Sequence, residues 1–259
     1  MHTLIVAGSG IKSIAHLTAE TRQVIKKADK VLYLVNENNF KAWLEREAIE
    51  AESLEPIYFK SIKRADAYKE ISNYIVEQYH QVKNLCVIFY GHPTVFAQSG
   101  LDAVKQIKKE KGNAIILPAV TAMDCLFSDL EIDPGQHGCF TIDATELLIY
   151  ERTLDVHGHL IIWQIANLGR ADTQITSKIS VLQNYLEKYY SPTHPICIYE
   201  AALLPTHKPR TDWHQVAELG LLNINPLSTL YLPPTEQKKI SQDYLALLEI
   251  DPQDFQSST

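Results

Sequence analysis

Arg64 and Tyr68 stand four residues apart, which puts a guanidinium and a phenol on one face of a helix. A cation beside a phenol favours the phenolate and lowers its pKa, so such a pair could move a proton. A solvated Arg resting on a surface Tyr has the same spacing, and the pair alone does not choose between the two. The second chemical cluster is Tyr90-Gly91-His92-Pro93, directly after the apolar run Leu85-Cys86-Val87-Ile88-Phe89. Five apolar residues without alternation suit a strand covered on both faces of a parallel sheet. Gly91 permits a sharp backbone path there, and Pro93 fixes φ and removes a donor. Ligands in open α/β sheets bind beyond the carboxyl ends of the strands, where Tyr90 and His92 would lie.

Other constellations carry less chemistry. Gly8-Ser9-Gly10 follows an apolar strand, but the third glycine of a dinucleotide fingerprint would fall at Ser13, and no acidic residue closes the second strand. A glycine turn that lets strand and helix pack reads equally well. His157 and His159 flank Gly158 with no acidic or cysteine partner spaced to complete a metal site, so a structural role is expected and no metal. Asp143 and Glu146 read as a helix-start cap rather than paired carboxylates.

The elements that must position these residues alternate in type. Strands are expected at residues 4–7, 31–35, 85–89 and 114–117, with helices over residues 13–28, 40–49, 65–79 and 101–110. Residues 53–63 read as irregular, with Pro56 as the breaker. This alternation predicts a parallel, doubly wound α/β sheet. Beyond Pro118 the pattern changes to a helix at 123–130, a turn at 132–135, strands at 140–143, 160–165, 196–199 and 228–232, and a helix at 179–190. We place a domain boundary near residues 118–122, giving an N-terminal α/β domain over 1–118, a C-terminal α/β domain over 119–250 and a frayed tail at 251–259.

Bulk properties limit the function classes. The 259 residues are 46% hydrophobic and 21% charged, the balance of a soluble globular protein. A net charge of −7 argues against a dedicated nucleic-acid binder. No run approaches the roughly 18 apolar residues of a membrane span. Residues 1–8 lack the basic region and apolar length of a signal peptide. Cys86, Cys125, Cys139 and Cys197 are widely spaced in mostly apolar runs, which suits reduced thiols in a cytoplasmic protein.

Several stretches together resemble one family. They are the strand before Gly8-Ser9-Gly10, His16-Leu17-Thr18-Ala19-Glu20, Tyr90-Gly91-His92-Pro93, and Leu117-Pro118-Ala119-Val120-Thr121-Ala122. Their order resembles the tetrapyrrole methylase fold of S-adenosylmethionine-dependent enzymes. The usual loop of that fold is Gly-Asp-Pro, and Gly91-His92-Pro93 departs from it towards a narrower group. With Val95-Phe96, Asp124-Cys125-Leu126-Phe127, Trp163-Gln164-Ile165, Tyr199-Glu200-Ala201-Ala202 and Ser228-Thr229-Leu230, the chain resembles the borosin peptide α-N-methyltransferases over nearly its whole length.

That resemblance implies two α/β domains with S-adenosylmethionine in the cleft between them. It implies Arg64, Tyr68 and Tyr90 as catalytic residues, with Tyr58 as a fourth. It implies cofactor contacts from Gly8, Gly10, Tyr90, His92, Val95, Phe96, Thr121, Ala122, Gln164, Ala201, Ser228 and Thr229, largely through backbone groups. The implied activity is iterative N-methylation of backbone amides by a homodimer. The tail after Asp251 holds no apolar core peptide, so the substrate is expected to be a separate precursor peptide acting in trans. A tetrapyrrole-type small-molecule methyltransferase would share the fold without needing Arg64 and Tyr68. A catalytically silent peptide-binding module would keep the fold but not those side chains.

Overall fold

The computed structural model describes residues 2–172, 174–235 and 240–251. Most of the expected frayed tail lies outside the described residues. Two compact units form. The first takes the chain to Leu130 and recruits Arg170–Gln174 and Glu200–Arg210; the second comprises Glu131–Gly169, Ile175–Tyr199 and the chain from Thr211 on.

In the first unit β1 (Thr3–Gly8) leads to α1 (Ala19–Lys27), β2 (Lys30–Leu34), α2 (Asn38–Glu47), β3 (Ala51–Ser53) and α3 (Glu55–Tyr58). Then follow α4 (Arg64–Gln81), β4 (Asn84–Phe89), α5 (Gln98–Lys109), β5 (Asn113–Ile116) and α6 (Ala122–Asp129). The strands form one sheet in the order β3-β2-β4-β1-β5, and every pairing is parallel. Because both faces are covered, all five residues of the run from Leu85 to Phe89 are buried. Leu4, Val6, Leu32, Val87 and Phe89 form one layer with Ile71, Ile75, Val104 and Ile107 of α4 and α5. Ala7, Val31, Tyr33, Cys86 and Ile88 form the other with Ile25, Phe40, Trp43 and Leu44 of α1 and α2.

Two local expectations need correcting. The single helix expected over residues 13–28 is a 3-10 turn at Ser13–His16 followed by α1. Leu17 and Thr18 are extended between them, and the Thr18 hydroxyl accepts the Thr21 N–H as an N-cap, so the helix restarts there. The segment expected to be irregular contains α3, with Pro56 in its first turn, where a missing N–H costs nothing.

The second unit contains α7 (Pro134–His137), β6 (Cys139–Asp143), α8 (Ala144–Ile149), β7 (His159–Trp163), α9 (Ile179–Leu186), β8 (Pro195–Glu200), β9 (Arg210–Gln215), β10 (Thr229–Leu232) and α10 (Gln242–Leu247). Its sheet runs β6-β7-β10-β8-β9 and is mixed: β6 and β7 are parallel, whereas β10 is antiparallel to both β7 and β8. The sequence reading did not foresee β9. Its residues, Arg-Thr-Asp-Trp-His-Gln, are mostly polar because it is an edge strand with no buried side chain. Asp143 caps α8 by accepting from the N–H groups of Thr145 and Glu146, and His159 is held in the sheet by a 2.8 Å hydrogen bond between Nδ1 and the Tyr231 hydroxyl. All four cysteines are free thiols. Among the described residues no helix is long and apolar enough to cross a membrane.

Gly8 marks the tightest point of the first sheet. A Cβ there would lie 2.0 Å from the Gly91 carbonyl oxygen, 2.7 Å from Ala119 Cβ and 3.0 Å from Pro93 Cδ. Gly8→Ala is therefore expected to destabilise the protein by about 1–3 kcal/mol. Urea unfolding would show a lower midpoint at unchanged slope, and an unchanged midpoint would contradict this packing.

Candidate functional site

Three loops leave the carboxyl ends of the adjacent strands β4, β1 and β5 and meet around Gly8. Gly10 (φ 68°) and Gly91 (φ 71°) pair as an isolated antiparallel bridge: Gly10 N–H donates to Gly91 O at 3.2 Å, and Gly91 N–H to Gly10 O at 3.1 Å. Both need the left-handed region that glycine enters freely. Tyr90 N–H donates to Leu34 O at the end of β2, so a fourth strand end joins the group. The following loop presents Val95 and Phe96 to solvent, 39% and 48% exposed, with Phe96 at a φ of 53°. Positive φ costs a residue with a side chain energy, and such strain gathers at ligand sites.

The Tyr90 phenol is half-buried, and burial, helped by the neighbouring Cys125 thiol, pushes its pKa up to about 12. His92 turns inward on its own loop: its Nδ1 accepts the Thr94 N–H at 3.3 Å and lies 2.9 Å from Thr94 Oγ1. Its ring shapes the turn. Thr121 opens α6 with a capping box, its N–H and hydroxyl both donating to Asp124 Oδ2 at 2.6 and 2.8 Å while Asp124 N–H donates back. Ala122 is the first residue of that helix.

The second cluster belongs to the α3–α4 junction. Because α4 returns the chain from the carboxyl end of β3 to the start of β4, its first turn lies at the same end of the parallel sheet as Tyr90. Tyr58 ends α3, and its ring stacks on Tyr68 with centroids 6.2 Å apart and planes 28° from parallel. Arg64 opens α4 and is anchored twice: its N–H donates to Ala171 O at 3.0 Å and its Nη2 to Arg170 O at 2.9 Å. The structure thus brings Tyr58, Arg64 and Tyr68 together. The expected electrostatics need correction, however. Burial raises the Tyr68 pKa, Tyr58 adds to the rise, and the pull of Arg64 towards the phenolate is too small to reverse it. The resting phenol is neutral.

The remaining expected residues divide between the units. Ala201 follows β8 within the first unit, beside the Glu200–Arg210 ion pair at 2.7 Å. Gln164, Ser228 and Thr229 belong to the second unit. Gln164 follows β7 in the left-handed region (φ 59°, ψ 29°), another strained strand end. Ser228 is buried, with Oγ accepting the Asn225 N–H at 3.0 Å, and Thr229 pairs with Tyr199 inside the sheet. Among the described residues no group of three or more His, Cys, Asp or Glu is arranged to hold a metal ion. Sequence reasoning missed the backbone anchor at residues 170–171, which no local pattern announces, and the role of Cys125 beside Tyr90, whose only signal was one thiol on an apolar helix.

Residues 3–211 match the family model of tetrapyrrole (corrin/porphyrin) methylases. The chain belongs to that methyltransferase family. It is similar, at 35% identity over 97% of its length, to the methyltransferase/ribosomally synthesized cyclic peptide lentinulin A precursor of Lentinula edodes. It is 34% identical over 96% of its length to the corresponding omphalotin A precursor protein of Omphalotus olearius. It spans 62% of the length of each. Among solved structures, uroporphyrin-III C-methyltransferase of Thermus thermophilus superposes with a TM-score of 0.65 at 16% identity, covering 90% of this chain and 92% of that one. The same enzyme complexed with S-adenosyl homocysteine gives 0.64 at 17% identity over the same shares. These two establish the fold.

The opposing influences on Tyr68 can be separated by titration. Tyr58→Phe should bring its pKa down towards the 10.0 of a free phenol, and Arg64→Met should raise it further. Phenolate absorbance or NMR of labelled tyrosine would follow both, and movement in the opposite sense would contradict the cluster described.

Proposed function

We propose that this chain is an S-adenosylmethionine-dependent methyltransferase that N-methylates backbone amides of a ribosomally made precursor peptide supplied as a separate polypeptide. The observation that carries it is the Tyr58–Tyr68 stack beside the doubly anchored Arg64, at the end of the sheet where Tyr90 and the Gly10–Gly91 bridge lie. Tetrapyrrole methylation gives no reason for two phenols and a guanidinium there. Similarity to methyltransferase/cyclic peptide precursor proteins over nearly the whole chain supports the peptide substrate. A cytoplasmic homodimer is part of the same reading.

The residues present fit the cofactor. Main-chain groups at strand ends and exposed Val95 and Phe96 suit an adenosyl ligand. Residues 8–10 and 90–96, with Thr121, Ala122 and Ala201, would hold it in the first unit. When bound, the sulfonium supplies an electrophilic methyl group.

The chain's own task is to make an amide nitrogen nucleophilic, against the resonance that draws its lone pair into the carbonyl. Arg64, fixed by the Arg170 and Ala171 carbonyls, is placed to stabilise negative charge on the amide oxygen as the N–H proton departs. Tyr68 releases its own proton to solvent and, as the phenolate, receives the amide proton, with the Tyr58 ring stacked against it. Tyr90, protonated, orients the amide. Because burial holds the Tyr68 phenol above its ordinary value, the reactive fraction is small at neutrality and grows with pH.

Three measurements check this reading. Incubation with S-adenosylmethionine and a precursor peptide should give successive one-methyl mass steps, and Arg64→Ala should lose turnover while keeping cofactor affinity. The rate should climb roughly tenfold per pH unit above neutrality. A flat profile would remove Tyr68 as the base, and methylation only of a tetrapyrrole would overturn the substrate.

A further inference from the structure

His16 has a place in this site that the catalytic scheme leaves unused. It ends the 3-10 turn Ser13–His16, and its ring folds back over the loop that carries Gly10. Its Nδ1 is 3.3 Å from the Ile11 N–H and 3.2 Å from the Lys12 N–H, both donors. A nitrogen that accepts two N–H groups carries no proton, so the ring is neutral with its hydrogen on Nε2. The fit is close: a Cβ on Gly10 would lie 2.3 Å from His16 Cβ. From Gly10 the restraint passes to Gly91 through the reciprocal bridge, and so to the loop of Tyr90, Val95 and Phe96.

We propose that His16 is a positioning residue that latches the loop at residues 10–12 through the Nδ1 lone pair, so that cofactor affinity falls when the ring takes up a proton. Protonation places an N–H against two N–H groups and breaks both bonds. The surroundings set the sense of the switch. Lys12, on the latched loop, opposes a positive ring; Asp124 and Asp129, on α6, favour one. From α1, Arg22 donates to Ile14 O at 3.4 Å. Burial outweighs the carboxylates and with Lys12 holds the ring below the 6.5 of a free imidazole. A depressed folded-state value means the latch is fully present above that free value and is lost as pH falls through the folded one. The latch thus acts on the acid side, apart from the alkaline rise expected of Tyr68.

The inference rests on the reading of these loops as the S-adenosylmethionine site, and the test separates the two. Calorimetry would measure S-adenosylmethionine affinity from pH about 7.5 to 5 for the full chain, His16→Asn and His16→Leu. Asn sets an amide oxygen near the Nδ1 position but takes no proton; Leu fills the space without an acceptor. Wild type should weaken by roughly tenfold per pH unit below the ring's pKa, Asn should stay tight and flat, and Leu should be weak throughout. NMR on the free protein should show the Nε2–H tautomer, with the Ile11 and Lys12 amides shifting as the ring titrates. An affinity flat in wild type, an Asn variant that follows the wild-type slope, or amides that ignore the ring would overturn the latch. Should wild type bind no cofactor even at neutral pH, the reading of the site fails, while the tautomer and amide shifts still decide whether His16 holds the loop.

Discussion

The absence of a side chain at Gly8 is the constraint on which the rest of the candidate site depends. Because the Gly91 carbonyl occupies the space a Cβ would need, the loops after β1 and β4 approach closely enough to hydrogen-bond backbone to backbone. Parallel strands give no help here, since their ladder ends with the strand and leaves each loop to find its own partners. The Gly10–Gly91 pair extends the sheet by one antiparallel step beyond its parallel part. Ala119 and Pro93 then close over Gly8 from the neighbouring loops.

A second theme is the cost of burying phenols. Tyr68 and Tyr90 both sit where desolvation favours the neutral form, and Arg64 offsets only part of this at Tyr68. The arrangement resembles a set of hydrogen-bond donors held ready more than a preformed base. For the amide substrate we propose, whose nitrogen becomes nucleophilic only as charge collects on its oxygen, donors fixed in advance are the economical solution. Spending both the Arg64 amide and its guanidinium on one distant loop fixes the start of α4 in place, which matters more than lowering one phenol's pKa.

Much of the first unit could be read from the chain because its signals are local. Unbroken apolar runs such as residues 85–89 announce strands covered on both faces, and the amphipathic stripe from Ala67 to Tyr79 announces α4. The reading failed where neighbours in space override neighbours in sequence. Residues 13–28 look like one helix until Thr18 is seen to cap a second start. β9 looks like a polar loop because an edge strand has only one ladder partner and little to bury. At the site, types and spacing gave the Arg64–Tyr68 pair and the Tyr90 loop. The sign of the Tyr68 shift was not legible, since it depends on how deeply the ring is enclosed and on Tyr58 lying across it.

The anchor of Arg64 also has a consequence for how the protein is made. Its partners are the carbonyls of residues 170 and 171, and the one that holds the guanidinium lies 106 residues downstream along the chain. A nascent chain leaving the ribosome has all the strands of its first sheet long before it has that anchor. The sheet can assemble early, while the start of α4 waits, and with it the alignment of Tyr58 and Tyr68. Synthesis therefore separates two stages of folding in time: the first unit forms its core as the chain emerges, and gains the Arg64 anchor only after part of the second unit has been translated.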